Sequence, residues 1–211
     1  MITIHHLNNS RSQRILWLLE ELEVNYNIKH YQRDTTTNRA PEELKAIHPL
    51  GKSPVIEDGQ LIIAETGAII EYLLSKYDKN KFLPKKTDRS YNSYIHFLHF
   101  AEGSAMLPLL LALFTGFLGE AGKPLQPMIS SEIKKVLDYC EQQLTKYEYF
   151  AGDKITGADI QMIFPLEAAK SKGLLSEYDA CDDYVNKIHK RKAYISALEA
   201  GGTYAYGPVN D

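Results

Sequence analysis

Cysteine is the residue that this sequence of 211 residues most clearly lacks, since it contains only Cys140 and Cys181. The two form no Cys-x-x-Cys pair and do not have the spacing of metal ligands. A disulfide framework is therefore not expected, and both are interpreted as small core hydrophobes. Because no cysteine precedes residue 140, the N-terminal part of the chain cannot use a thiol of its own for chemistry.

The sequence also lacks a strong net charge and a long apolar run. A formal net charge of −3 at pH 7 gives no general attraction to nucleic acid or to an anionic membrane, so neither partner is expected. The longest apolar stretch, Ala105 to Leu118, is interrupted by Pro108 and Gly116, and a span of the bilayer needs roughly 20 residues. The N-terminal residues lack the basic and apolar regions of a signal peptide. These absences predict a cytoplasmic globular protein.

The N-terminal segment combines strand-like and helix-like patterns. Apolar and polar residues alternate from Ile2 to His6 and again from Tyr26 to Tyr31, as in half-buried strands. A helix is predicted from about Ser12, because one helical face carries Ile15, Leu18, Leu19 and Leu22. A strand–helix–strand unit makes its two strands parallel. His5 and His6 on the first strand are interpreted as packing or surface histidines.

The next segment predicts a short helix, a hairpin and a longer helix. Pro41 suits the first position of a helix, which should end before Pro49. Asp58-Gly59 is a strong hairpin signal between apolar strands at residues 55–57 and 61–64. A further helix opens at Thr66. The predicted order of elements is βαβαββα.

Residues 79–88 separate two segments of different character. They are charged, contain a proline and lack periodicity, which indicates a linker with Phe82-Leu83 as an anchoring pair. No convincing strand follows, and a helix from Ser90 to about Leu118 should bend near Pro108, which has no N–H for a helical hydrogen bond. The predicted fold class is α/β plus all-α, with residues 1–78 as the α/β domain, 79–88 as the linker and 89–211 as the all-α domain.

One capping pattern in the second half is unusually clear. Thr156-Gly157-Ala158-Asp159 is a capping box, and Ile155 and Ile160 flank it as a hydrophobic staple. A buried helix that starts in this way needs no ligand to explain it. Asp159 is therefore interpreted as structural.

Two anion-binding or peptide-binding devices lie close together between Ile47 and Tyr72. One is a strand entered through Ser53-Pro54, whose backbone is available to pair with a peptide. The other is the helix start at Glu65-Thr66, where unpaired amide groups and the positive end of the helix dipole favour a carboxylate. This stretch predicts the binding of a small, acidic, peptide-like thiol.

The motifs resemble those of the cytosolic glutathione S-transferases. The resemblance is carried by the order βαβαββα followed by helices, and by Ser10-Arg11-Ser12-Gln13-Arg14, Gly51-Lys52-Ser53-Pro54-Val55, Glu65-Thr66 and the segment from Gly152 to Ile160. The segment His96 to Pro108 is similar to a bacterial and fungal, serine-type subgroup. The family resemblance implies a thioredoxin-like N-terminal domain, an all-helical C-terminal domain and a homodimer.

The resemblance also implies how glutathione, the co-substrate, is bound. The proline matching Pro54 is cis in the family, and the residue before it, here Ser53, exchanges main-chain hydrogen bonds with the cysteinyl part of glutathione. Glu65 and Thr66 match the pair that holds the γ-glutamyl end. Lys52 offers positive charge to the remaining carboxylate. No metal is expected.

The chemistry requires glutathione as the thiolate, because the neutral thiol is a poor nucleophile. Ser10 aligns with the catalytic hydroxyl of the serine-using classes, although it could instead act only as a helix N-cap. Ser12 is the rival hydroxyl, and Arg11 could supply positive charge to the thiolate. Arg14 is interpreted as structural or as a salt-bridge partner.

The second substrate is expected to be a small hydrophobic electrophile bound between the domains. The candidate contacts are Tyr91, Phe100, Met106 and Tyr204. Two alternatives stay open: glutathione-dependent peroxidase activity in the same site, and a non-catalytic binding or regulatory protein that retains the fold. The joint presence of Ser10, Ser53-Pro54 and Glu65-Thr66 favours an enzyme, because a pure interaction module does not need all three.

Overall fold

A mixed four-stranded sheet with the strand order β2-β1-β3-β4 forms the N-terminal part of the computed structural model, which describes residues 1–208. Strands β1 and β2 pair in parallel, whereas β1–β3 and β3–β4 are antiparallel. Asp58 pairs with Leu61 across the hairpin, as the Asp-Gly turn predicted. The strands are β1 Ile2–Leu7, β2 Tyr26–Tyr31, β3 Val55–Asp58 and β4 Leu61–Ala64.

Three helices complete this part, and the order βαβαββα is confirmed. The fold is thioredoxin-like. On one face of the sheet, Leu7, Tyr31 and Leu44 form a small buried cluster. The helices are α1 Ser12–Glu21, α2 Glu43–Ile47 and α3 Thr66–Tyr77.

Helix α1 is buried more completely than its apolar stripe predicts. Every residue from Ser12 to Leu19 is buried, including Gln13 and Arg14. The reason is that α1 contacts β1 and α3 and is also packed against the last helix of the chain, α9 (Lys192–Gly201). Gln13 Nε2 donates to the Ala197 carbonyl at 2.9 Å. Helix α1 therefore carries polar side chains into the protein interior.

The remaining elements are helical, as predicted for an all-α second half. Regular helix is interrupted at Ala101–Ala105 by a π-helical turn, close to Pro108, where the missing N–H predicted a bend. The capping box at Thr156 is confirmed. These helices are α4 Tyr91–Phe100, α5 Met106–Gly116, α6 Gln126–Lys146, α7 Gly157–Lys170 and α8 Asp179–His189, with a 3₁₀ segment at Gly119–Leu125.

The chain divides into two compact units, one of residues 1–83 together with Ile188 onward, the other of Pro84–Lys187. The C-terminal segment thus groups with the first unit because α9 packs on α1. The predicted boundaries of 1–78, 79–88 and 89–211 stay a prediction. In the first unit, the Asp78 carboxylate accepts from the amides of Phe82 and Leu83, and Phe82 is buried, which agrees with its role as an anchor.

One helical stretch, Tyr91–Gly116, is long and apolar enough to cross a membrane by length and composition alone. Core helices of soluble proteins can have the same length and apolar composition. The stretch contains the π-helical turn at Ala101–Ala105. The expectation that the protein has no membrane partner stays a prediction.

Candidate active site

The loop that carries Ser10 follows strand β1 and is fixed from several directions. Asn9 has a φ of 49°, a left-handed conformation that asparagine tolerates better than most residues. The Asn9 side chain accepts from the Ala205 amide at 2.7 Å, so the C-terminal segment lies against the loop. Arg33 donates to the main-chain carbonyls of Asn8 and Asn9 at 3.2 and 3.3 Å. Ser10 is therefore presented by an ordered turn.

The Ser10 and Ser12 hydroxyl oxygens lie 2.8 Å apart. Ser10 Oγ also accepts from the Ser12 amide at 3.2 Å, so it helps to start helix α1 although Arg11 is the N-cap residue. Ser12 Oγ lies 2.9 Å from Nδ1 of His6 and 3.3 Å from both main-chain polar atoms of Leu7. The structure thus joins two of the predicted catalytic residues through a hydrogen bond.

The surroundings of the two hydroxyls differ in a way that bears on their roles. Ser12 is fully buried and its oxygen is surrounded by protein partners, whereas Ser10 is at the outer end of the chain of hydrogen bonds and keeps 5% of its surface exposed. This arrangement favours Ser10 over Ser12 as the hydroxyl that meets a ligand. The assignment of Ser10 as catalytic stays a prediction.

Ser53 stands where the sequence predicted a peptide-pairing strand. The Ser53–Pro54 peptide bond is cis. The Ser53 hydroxyl donates to the His5 carbonyl at 2.7 Å and accepts from the Leu7 amide at 3.2 Å, and this ties the segment to β1. Within residues 1–208, the main-chain N–H and C=O of Ser53 make no hydrogen bond. Both groups are available to an extended peptide.

The start of helix α3 forms a second polar site. Thr66 is the first helical residue and is 5% exposed, and Glu65 before it has a φ of 69° and an exposed side chain. Nη2 of Arg14, which is 1% exposed, donates to Thr66 Oγ1 at 3.3 Å. A hydroxyl that accepts from a guanidinium keeps its own hydrogen for another acceptor. The helix dipole, the Thr66 hydroxyl and the Arg14 charge together favour an anion.

The other predicted site residues lie in more varied places. Lys52 is exposed, Arg11 is partly exposed, and Pro54 is buried. Of the four candidate electrophile contacts, Tyr204 belongs to the first unit and contacts the ring of Tyr206 at 5.5 Å between centroids. The other three belong to the second unit: Tyr91 and Phe100 are partly buried on α4 and Met106 is buried at the start of α5.

His6 and Arg14 are the polar residues that the sequence did not assign to the site. His6 is not a surface histidine, since it is 2% exposed and its ring reaches Ser12. The pKa of His6 is lowered from 6.5 to about 4, mainly because the ring is buried and also because His30 lies nearby. The polar backbone of Gly201 acts in the opposite direction and raises the pKa. The only sequence cue was position, because both residues lie within four residues of Ser10.

The polar groups that the structure brings together at this site are hydroxyl groups and cations. No group of three or more His, Cys, Asp or Glu side chains within residues 1–208 is placed to hold a metal ion. Cys140 and Cys181 are both buried and unpaired, in the second unit. Burial raises the pKa of the Cys140 thiol to about 12.

A thioredoxin-like domain with a cis Ser-Pro bond, a polar helix start and a buried serine pair is followed along the chain by an all-helical segment. Residues 1–75 match the family model for the glutathione S-transferase N-terminal domain, and residues 95–192 match the model for the C-terminal domain. The chain belongs to the glutathione S-transferase family.

Relatives along nearly the whole chain agree with this assignment. Glutathione S-transferase 1 of Saccharomyces cerevisiae is 32% identical over 94% of each chain. The crystal structure of a glutathione S-transferase from Actinobacillus pleuropneumoniae is 35% identical, with a TM-score of 0.89 over 97% of this chain and 94% of the other. A glutathione transferase homologue from Lodderomyces elongisporus, crystallised with two glutathione molecules per subunit, shares the fold at 19% identity, with a TM-score of 0.79 over 94% and 98% of the two chains.

Proposed function

We propose that this protein conjugates the thiolate of glutathione to small hydrophobic electrophiles, as a cytoplasmic, homodimeric detoxification enzyme. The observation that carries the proposal is the presence, in one unit, of a free main-chain pair at Ser53, a cationic helix start at Thr66 and a hydroxyl at Ser10. The family assignment and the relative crystallised with glutathione support the same ligand.

Each part of glutathione has a matching group in this proposal. The cysteinyl residue pairs with the main chain of Ser53 next to Pro54, in the manner of an added strand. The γ-glutamyl carboxylate lies at the start of α3, where it accepts from Thr66 and faces Arg14, and its ammonium group faces Glu65. Lys52, exposed on the preceding loop, pairs with the glycyl carboxylate.

The rate enhancement comes from holding the thiolate beside the electrophile. Only a few per cent of a free thiol with a pKa near 8.5 is ionised at neutral pH. The Ser10 hydroxyl donates to the sulfur and stabilises the ionised form, with the positive charge of Arg11 nearby. The sulfur then attacks the electrophile, the carbon–sulfur bond forms and the leaving group departs with its electron pair. Holding the thiolate and the electrophile together supplies the remainder of the rate enhancement.

The electrophile is expected to meet apolar and aromatic side chains. Tyr91, Phe100, Met106 and Tyr204 are the candidate contacts, and aromatic and thioether groups suit a small hydrophobic molecule. Peroxide reduction by the same thiolate is the alternative, since it differs only in the acceptor.

The test is retention on immobilised glutathione followed by conjugation of chlorodinitrobenzene. We expect the protein to bind glutathione in the millimolar range or tighter and to form the conjugate. Ser10→Ala should keep the binding, raise the pKa of the bound thiol and lower turnover at neutral pH, whereas Thr66→Ala should mainly weaken binding. Absence of binding at millimolar glutathione contradicts both the transferase and the peroxidase. Binding of glutathione without turnover of chlorodinitrobenzene or of a peroxide indicates the non-catalytic alternative.

A further inference from the structure

A continuous chain of hydrogen bonds runs from Ser10 into the protein interior. Ser10 Oγ lies 2.8 Å from Ser12 Oγ, which lies 2.9 Å from Nδ1 of His6. All three residues are buried, with exposed fractions of 5% or less. The proposed function uses only Ser10, so the inner two members of this chain have no role in it.

The hydrogen bonds in this chain can all point inward when His6 carries its hydrogen on Nε2. Because burial lowers the pKa of His6 to about 4, its ring is neutral at pH 7. In the tautomer that carries its hydrogen on Nε2, Nδ1 beside Ser12 carries no hydrogen. Nδ1 of the neutral ring is then an acceptor. Ser12 donates to it, and Ser10 donates to Ser12. Each donor therefore points inward, and the Ser10 oxygen keeps a lone pair for a donor outside the chain.

His6 also reaches a cavity of about 420 Å³ in the same unit. The lining residues His30, Glu199 and Thr203 are exposed, so the cavity is open to solvent. His30 on β2 and Glu199 near the end of α9 are the titratable groups of this cavity besides His6, and the His30 ring meets the His6 ring edge to face at 5.7 Å. The chain of hydrogen bonds thus has one end at the candidate active site and the other at solvent.

We propose that Ser10, Ser12 and His6 form a proton relay that takes the thiol proton of bound glutathione to this cavity. The inference rests on the proposed function. The S–H bond breaks and its proton passes to Ser10 Oγ while the electron pair stays on sulfur. The Ser10 proton passes to Ser12 Oγ, and the Ser12 proton passes to His6 Nδ1. Water in the open cavity then takes the Nε2 proton from the imidazolium, which leaves a neutral ring with its hydrogen on Nδ1.

The relay leaves the hydrogen bonds in the direction that stabilises a thiolate. After transfer, Nδ1–H of His6 donates to Ser12, Ser12 donates to Ser10, and Ser10 donates to the sulfur. Hydrogen bonds aligned in one direction strengthen one another. The same three groups therefore remove the proton and then stabilise the charge that remains. His6 acts only through the serines and does not touch the substrate.

The low pKa of His6, about 4, is compatible with a relay because the proton does not stay on the ring. Because the pKa of the donor thiol is near 8.5, transfer of its proton to His6 is unfavourable by a factor of roughly 10⁴ to 10⁵ at equilibrium. A limiting frequency of ~6 × 10¹² s⁻¹ reduced by that factor sets an upper limit of ~10⁸ s⁻¹ on the transfer, so the energy of protonated His6 alone does not prevent turnover near 10 s⁻¹. The ring can therefore pass protons without holding them.

The test follows the ultraviolet absorbance of the thiolate after rapid mixing of the protein with glutathione in dilute buffer at neutral pH. His6→Asn keeps an acceptor for the Ser12 hydroxyl but cannot take up a proton. We expect it to form the thiolate at least about ten-fold more slowly than the unmodified protein, with the rate restored by concentrated imidazole buffer. His30→Asn, the matched substitution of the other cavity imidazole, should form the thiolate at the unmodified rate.

Two outcomes overturn the relay. One is thiolate formation by His6→Asn at the unmodified rate in dilute buffer. The other, measured on the unmodified protein in mixtures of light and heavy water, is a linear dependence of that rate on deuterium fraction, which indicates a single moving proton. A protein that binds no glutathione, or forms no thiolate even at equilibrium, contradicts the proposed function itself, so the two failures are distinguishable.

Discussion

Arg14 and Thr66 meet across 3.3 Å, with the guanidinium Nη2 donating to the threonine hydroxyl oxygen. One lies on α1 and the other starts α3, and both are at most 5% exposed. A cation held inside the protein beside a helix N-terminus adds to the positive potential of the helix dipole. The pair therefore prepares this helix start for an anion before any ligand arrives.

The Arg14–Thr66 pair should behave as a unit in glutathione binding. Thr66→Val removes the hydroxyl and keeps the shape, and we expect it to weaken glutathione binding about ten-fold, in line with a hydrogen bond to a charged group. Arg14→Lys keeps the charge but loses the fork of donors, and it should weaken binding by a similar factor. The double variant should lose less binding free energy than the sum of the losses in the two single variants. Calorimetry should give a coupling of about 1 kcal/mol. Strict additivity contradicts a shared role.

His6 should make the stability of the protein depend on pH. Its pKa is lowered by burial from 6.5 to about 4 in the folded protein, so between these values the unfolded chain binds a proton that the folded chain does not. Stability is therefore full above pH 6.5 and falls as the pH drops toward 4. The free energy of unfolding that is lost across this pH window corresponds to roughly 3 kcal/mol. Urea unfolding above and inside this window measures it.

The control for this pH dependence is a second histidine-to-asparagine substitution. His6→Asn should flatten the slope in that window, whereas His99→Asn, at an exposed position on α4, should leave it unchanged. An equal slope in the unmodified protein and in His6→Asn shows that other groups cause the dependence.

The elements of the N-terminal fold could be predicted because their cues are local. Tyr26–Tyr31 and Leu61–Ala64 were predicted with the bounds that the structure has, from alternation and from the Asp58-Gly59 turn. The start of α3 at Thr66 was predicted in the same way. Such patterns are contained within a few residues of sequence, so tertiary packing did not override them.

The contacts that support the candidate site could not be predicted in this way. Arg14 and Thr66 are 52 residues apart, and the bond from the Ala205 amide to the Asn9 side chain joins opposite ends of the chain. His6 and Ser12 are close in sequence, yet their contact depends on how β1 turns into α1. No periodicity encodes these distances, because they follow from the packing of α1 and α9.

Gly201 should resist even the smallest side chain. A Cβ at this position would lie 2.6 Å from Gln13 Oε1 and 2.9 Å from a methyl group of Leu16, both on α1. Gly201→Ala should therefore push α9 away from α1 and lower the free energy of unfolding by about 1–3 kcal/mol. Gly116→Ala, where a Cβ meets no atom of residues 1–208 within 4 Å apart from its own helix backbone, is the control and should be neutral or slightly stabilising. Equal effects of the two substitutions contradict the close packing.

The two cysteines should be inert in the folded protein. Both side chains are fully buried, and burial raises the pKa of Cys140 to about 12 and raises that of Cys181 as well. At neutral pH the thiolate fraction of Cys140 is then of the order of 10⁻⁵. Ellman's reagent should detect no thiol until urea unfolds the chain and two thereafter. Loss of transferase activity on mild alkylation contradicts chemistry that uses only the glutathione thiol.

Asp159 should contribute more to the stability of the second unit than any surface carboxylate. It is fully buried and accepts from the amides of Phe150 and Thr156 and from the Tyr184 hydroxyl, at 2.7–3.0 Å. Asp159→Ala leaves these donors without their shared acceptor, and we expect the free energy of unfolding to fall by about 3–5 kcal/mol. Asp153→Ala, an exposed position close by in sequence, should change it by less than about 0.5 kcal/mol. A loss for Asp159→Ala as small as that of this control contradicts the capping network, and chemical denaturation of the three proteins decides between the two results.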